Sequence, residues 1–231
     1  MSTVFITGAN RGIGLGWVRY YLHEGARVIA GCRDLAAAKE LNELNRLFPD
    51  RLELVQLDVT NQAQIQLVAN QLDGRVIDIL INNAGIYPNA HENLAIEDVN
   101  PADVLNAFAV NVVGPFSLTR ALKKMLSAAQ RPVVVNMASQ MGSIDATRNA
   151  RGYAYRISKS ALNMFTRCFA HEAPNIITIA LRPGWVKTAM GGEQATLEIG
   201  DSVSAMANVI TALTSDHNGK LLDYFGAEQA P

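Results

Sequence analysis

Cysteine is scarce in this chain: its 231 residues hold two, Cys32 and Cys168, far apart and in no CxxC pair. With no Cys/His cluster either, a structural zinc site is not expected. Two thiols in a chain of this length point to a reducing, cytosolic compartment. An excess of one charge is missing too. Lys and Arg number 20 against 21 Asp and Glu, a formal net charge of −1, without the basic surplus of a nucleic-acid binder. No apolar run reaches the ~18 residues that a membrane helix needs. The opening residues, Met1-Ser2-Thr3-Val4-Phe5-Ile6-Thr7, carry no positive segment ahead of a long apolar one, so no signal peptide is expected. The four histidines (His23, His91, His171 and His217) lack metal-like spacing and read as surface or helix-end residues. Disorder is excluded by 49% hydrophobic residues at near-zero net charge.

What is present is an alternation. Short runs rich in Val and Ile stand at 4–7, 27–30, 52–57, 77–81, 133–137, 176–181 and 221–224. Between them lie segments of helical spacing at 12–24, 35–47, 62–72, 101–112, 115–130, 153–171 and 202–213. The runs are crowded with apolar residues rather than alternating, as in strands buried on both faces. The expectation is one α/β domain over 1–231, a doubly wound and mostly parallel seven-stranded sheet with helices on both faces. Pro101 and Pro115 fall where a helix tolerates proline, in a first turn. Loops are expected at 87–100 and 189–201.

The first run leads into Thr7-Gly8-Ala9-Asn10-Arg11-Gly12-Ile13-Gly14 and then a helix. Gly8 permits a tight turn, Gly12 lets backbone approach a phosphate, and Gly14 lets helix pack closely on strand. The helix start offers free N–H groups and a positive dipole end to a pyrophosphate. Glycines alone also suit an ordinary turn, but strand before and helix after favour a Rossmann-type dinucleotide site. Where an NAD binder needs an acid for the ribose 2′-OH, this chain has Cys32 and then Arg33. Arg33 suits a 2′-phosphate, with Arg11 as second cation, so NADP(H) is the expected cofactor. Asp34 reads as the N-cap of the helix from Leu35.

Tyr155 and Lys159 are i and i+4, on one helix face. A phenol with a pKa near 10 is a poor base at neutral pH, and a nearby ammonium is expected to lower it. Protonated, the same Tyr can donate to a carbonyl oxygen. Ser139, after the fifth run, would stabilise charge growing on that oxygen, or serve as a strand-end turn residue. Asn111 lies among Ala109, Val110, Val112 and Val113, an apolar setting for a helix-interior Asn.

Five elements follow one another along the whole chain: GxxxGxG with Thr ahead of it; Asn82-Asn83-Ala84-Gly85; Asn111 and Ser139; Tyr155-Arg156-Ile157-Ser158-Lys159; and Pro183-Gly184-Trp185-Val186-Lys187-Thr188. In this order they resemble the short-chain dehydrogenase/reductase family. Segments 153–163 and 184–192 look like its Sniffer- and C-factor-like carbonyl reductases. The resemblance implies a catalytic set of Asn111, Ser139, Tyr155 and Lys159. It also has Lys159 holding the nicotinamide ribose, and Asn111 anchoring a water that links Lys159 to solvent. It places the cofactor along Gly8, Asn10, Arg11, Gly12, Ile13, Gly14 and Arg33, with Tyr155 and Lys159. Asp58 and Val59 would meet adenine, although Asp58 equally suits a turn or cap. Asn83, Ala84 and Gly85 would support the adenosine ribose side. Pro183, Gly184 and Val186 would deliver Thr188 to the carboxamide.

Ser139 and Tyr155 stand 16 positions apart, slightly more than the family's commonest spacing, so 140–152 carries extra loop at the substrate mouth. Met141, Trp185 and Met190 either line a hydrophobic pocket there or pack loops. The expected protein is an NADP(H)-dependent reductase of a ketone or aldehyde, or the same chemistry run as an alcohol dehydrogenase. Its partner is a small carbonyl or alcohol substrate, with no metal, nucleic acid or membrane. It is expected to be a homodimer through segments 115–130 and 153–171. A dinucleotide-binding signalling or sensor protein of the C-factor type is the alternative.

Overall fold

The computed structural model describes residues 1–90, 94–149 and 151–230, so His91 lies outside the described residues. One sheet organises them, in the strand order β3-β2-β1-β4-β5-β6-β7-β8. The strands are β1 (Thr3–Thr7), β2 (Arg27–Cys32), β3 (Leu52–Gln56), β4 (Ile79–Asn82), β5 (Val133–Met137), β6 (Ile177–Arg182), β7 (Leu221–Asp223) and β8 (Glu228–Gln229). The helices are α1 (Gly12–His23), α2 (Lys39–Leu47), α3 (Gln62–Gln71), α4 (Pro101–Phe108), α5 (Gly114–Ser127), α6 (Tyr153–Glu172) and α7 (Ile199–Ala212). β1 pairs in parallel with both β2 and β4. The strand order therefore reverses beside β1, the crevice where doubly wound sheets bind ligands.

Successive residues of a strand point to opposite faces, and here both faces are covered. Val4 and Ile6 of β1 join a cluster with Leu15, Trp17 and Val18 of α1 and Val203, Met206 and Ile210 of α7. Phe5 joins the opposite one, with Ile65 and Val68 of α3 and Leu118, Leu122 and Met125 of α5. This is why the strand runs are apolar throughout. No helix among the described residues is long and apolar enough to cross a membrane.

Four details differ from the sequence reading. The sheet has an eighth strand, two residues long and antiparallel to β7. α2 begins at Lys39 rather than at 35, because Asp34 Oδ1 accepts from Ala37 N at 3.0 Å and holds residues 34–37 in a turn. α7 begins at Ile199, inside the expected loop. Finally, the segments at 101–112 and 115–130 form one continuous rod, α4 and α5 joined by a π-helical turn over Ala109–Val113. Pro115 has no N–H to give to Asn111. The chain absorbs the lost bond by widening one turn, in which Gly114 N donates to Ala109 O, five residues back.

Candidate active site

The glycine turn between β1 and α1 is fixed from β4. Asn83 Nδ2 donates to Thr7 O at 2.9 Å and Gly8 O at 3.2 Å. Asn83 N and Ala84 N both donate to Thr7 Oγ1, at 3.0 and 2.9 Å. Gly8 and Gly12 take φ of +63° and +56°, and a Cβ on Gly14 would lie 2.1 Å from Gly8 O. The turn thus needs its glycines where backbone passes backbone. At its end, α1 starts with no side-chain cap on its N–H groups and no acid in its first turn. Asn10 and Ile13 are half-buried and Arg11 exposed. These features fit an anion at the helix start.

Arg33 follows β2 directly, exposed, with its backbone carbonyl held by Gln56 Nε2 at 3.2 Å. Ala9 N donates to Gly31 O, tying the glycine turn to the end of β2. Asp58 takes the turn role: its Oδ1 accepts from Thr60 N and Oγ1, at 2.9 and 2.7 Å. Val59 is buried against Gly114, where a Cβ would meet Val59 Cγ2 at 2.8 Å.

The four expected catalytic residues converge at the carboxyl ends of β4 and β5. Tyr155 is 8% exposed, and its phenol faces the Ser139 side chain. Ser139 Oγ also accepts from Met141 N at 3.2 Å. Lys159 Nζ lies 5.5 Å from the Tyr155 ring centroid and donates to Met137 O at 2.7 Å. Gly85 sits between partners: a Cβ there would lie 3.2 Å from Asn111 Oδ1 and 3.7 Å from Lys159 Nζ.

Burial dominates the electrostatics and corrects one expectation. The Tyr155 phenol is not lowered by Lys159. Desolvation pushes it up to about 12, against the Ser139 hydrogen bond. The same desolvation pushes the Lys159 ammonium down to about 8. Asn111 is buried completely in the π turn. Its Nδ2 donates to Ile86 O and Ser158 Oγ, both at 2.9 Å, and its Oδ1 accepts from Ile86 N at 2.9 Å. Both of its amide hydrogens are thus engaged.

The segment after β6 closes over the start of α1. Gly184 takes φ +80°, and Pro183 O accepts from Ser202 Oγ of α7 at 2.7 Å. Val186 is buried and bridges to Leu197. Thr188 reaches the glycine turn, since a Cβ on Gly12 would lie 3.6 Å from its Cγ2. Trp185 and Met190 are exposed, and Trp185 Nε1 donates to Gly191 O at 2.8 Å. Across the site, Arg156 spans the long 140–152 loop. It donates to Arg151 O at 2.6 Å, Asn149 Oδ1 at 3.0 Å, Thr147 Oγ1 at 3.3 Å and Met141 O at 3.5 Å.

Sequence reasoning missed three supports. Ser158 links Asn111 to Tyr155 O, donating at 2.8 Å. Asn82 Nδ2 donates to Asn136 Oδ1 at 2.9 Å and Asn136 Nδ2 to Thr166 Oγ1 at 2.9 Å, a buried polar line beneath the site. Asparagines inside β4 and β5 were its only sequence signal. Tyr87 stacks on Tyr155.

Known proteins resemble this chain in sequence and in fold. A family profile described as "short chain dehydrogenase" matches residues 2–198. The C-signal protein of Myxococcus xanthus is 40% identical over 154 residues, 66% of this chain and 91% of that protein. Among solved structures, the carbonyl reductase Sniffer of D. melanogaster superposes with a TM-score of 0.95 at 31% identity, covering 100% of both chains. The NADPH-bound carbonyl reductase from chicken fatty liver gives 0.93 at 34% identity, over 100% of this chain and 99% of that one. By the profile, the order of the motifs and the shared fold, this chain belongs to the short-chain dehydrogenase family.

Proposed function

We propose that this chain reduces the carbonyl of a ketone or aldehyde with NADP(H), Tyr155 acting as general acid. The observation that carries the reading is the convergence of Asn111, Ser139, Tyr155 and Lys159 at the carboxyl ends of β4 and β5, with the Tyr155 phenol held neutral by burial. An acid must arrive protonated, and this one is. The dinucleotide, when bound, supplies the hydride that the carbonyl carbon receives. Tyr155 gives its proton to the carbonyl oxygen, and Ser139 holds that oxygen while its charge grows. Lys159, on the same face of α6, holds the ribose and returns a proton to Tyr155. Run backwards, the same groups oxidise an alcohol.

The free N-terminus of α1 suits the pyrophosphate, and Thr188 beside Gly12 suits the carboxamide. Exposed Arg33 and Arg11 suit a 2′-phosphate. The chicken neighbour, with NADPH bound, supports the same choice. Both cysteines are free, in keeping with a cytosolic protein. We further propose a homodimer, because α5 and α6 expose Phe116 (45%), Ile157 (48%) and Met164 (64%).

The test is a panel of ketones, aldehydes and alcohols followed by cofactor absorbance. NADPH is expected to exceed NADH by about tenfold or more in kcat/KM, the worth of one charge-assisted contact. Binding of NADPH with no turnover on any compound would overturn the reading in favour of a signalling protein.

A further inference from the structure

Tyr155 has a partner far from it in sequence. Tyr87 follows the Asn82-Asn83-Ala84-Gly85 turn, and its ring stacks on that of Tyr155, with centroids 4.3 Å apart and planes at 13°. Both sides of Tyr87 are held. Ile86, the residue before it, is gripped at N–H and C=O by the Asn111 amide, each at 2.9 Å. On the far side its hydroxyl abuts Gly152, where a Cβ would come within 2.5 Å of it. Gly152 takes φ +69° just ahead of α6, so a side chain at that place would displace Tyr87. The contacts close into a ring. Asn111 donates to Ser158 Oγ at 2.9 Å, Ser158 donates to Tyr155 O at 2.8 Å, and Tyr155 lies under Tyr87.

We propose that Tyr87 is a positioning residue: its ring, set in place by the Asn111 clamp on Ile86, holds the Tyr155 phenol in the orientation from which it reaches the carbonyl oxygen. This rests on the reading of Tyr155 as the proton donor. Within its buried setting Tyr155 can still turn about its side-chain torsions, with Ser139 facing its tip. A flat ring against its face removes that freedom. Proton transfer is sensitive to such placement, a shift of ~1 Å costing up to about a hundredfold in rate. The stack uses the ring of Tyr87 and not its hydroxyl. Tyr87→Phe therefore keeps it and Tyr87→Leu does not. Most dinucleotide contacts lie elsewhere, on the glycine turn and the 183–188 segment, so affinity for it changes little.

The experiment compares kcat, KM and NADPH affinity of the full chain, its Tyr87→Leu variant and its Tyr87→Phe variant on one carbonyl that the wild type reduces. Tyrosine rings labelled with 13C are followed by NMR in parallel, the Tyr155 signals assigned by their loss in Tyr155→Phe. In Tyr87→Leu, kcat falls at least about tenfold, KM changes less, and NADPH affinity stays within about twofold. The Tyr155 ring signals lose the upfield shift of a stacked ring. Tyr87→Phe retains the shift and rescues at least about half of kcat. An active wild type whose Tyr87→Leu variant keeps kcat, or keeps its Tyr155 signals in place, overturns the proposal alone. A wild type with no carbonyl turnover overturns the functional reading and the proposal with it.

Discussion

Lys159 is the residue whose charge the site can least easily keep. Its ammonium is buried beside Tyr155, and burial brings it from 10.5 down to about 8. The proton is therefore lost as pH rises through about 8, while Tyr155 keeps its own to about 12. The alkaline limb of kcat/KM, which reports the free enzyme, accordingly belongs to Lys159. Carbonyl reduction is expected to fall above about pH 8, and in Lys159→Arg that limb disappears because a guanidinium stays charged. A limb that persists in Lys159→Arg would assign it elsewhere. Stability carries the opposite sign. Between about 8 and 10.5 the unfolded chain binds this proton and the folded chain does not, so this group makes stability rise with pH across that window. The sequence showed Tyr155 and Lys159 four apart and so suggested mutual charge stabilisation. It did not show that both are buried, and burial decides the direction for each.

At the scale of elements, the π turn between α4 and α5 places Asn111 inward, where its amide serves Ile86 and Ser158 at once. Asn111→Ala leaves the Ile86 N–H and C=O without their partner in a half-buried place. Each such loss costs ~1–3 kcal/mol, so a destabilisation of about 2–6 kcal/mol is expected by denaturant titration. A loss under about 1 kcal/mol would mean that water replaces the amide. The sequence placed Asn111 in a helix but not in a π turn, because Pro115 looked like the start of a new helix. Proline does sit in the first turn of α5; what periodicity does not express is that the rod continues through it. The glycine turn, Ser139, Tyr155 and Lys159 were legible because each is bound to a strand end or a helix repeat. Tyr87 was not legible, since its contact with Tyr155 depends on how the turn after β4 is folded back. The eighth strand is two residues long and carries no periodic signal.

For the whole molecule, the doubly wound sheet and its two covered faces followed from the alternation of apolar runs and helical segments, and the structure adds the strand order. The dimer proposed above would form on the outer face of α5 and α6. Phe116 and Phe165 meet there at 5.6 Å between centroids, next to exposed Met164 and Ile157. Sedimentation velocity at micromolar concentration is expected to show a species twice the 25.0 kDa chain. Met164→Glu should shift it toward monomer, since a charge buried in an apolar interface is costly. A wild type that sediments only as monomer would refute the dimer. We propose above that the assembled site reduces a carbonyl with Tyr155 as its acid. Its most direct test is a single turnover: NADPH-loaded protein mixed with a carbonyl from the panel, the loss of NADPH absorbance followed in wild type and in Tyr155→Phe. A rate at least about a hundredfold lower is expected in Tyr155→Phe, with NADPH still bound. Near wild-type decay in Tyr155→Phe would contradict it.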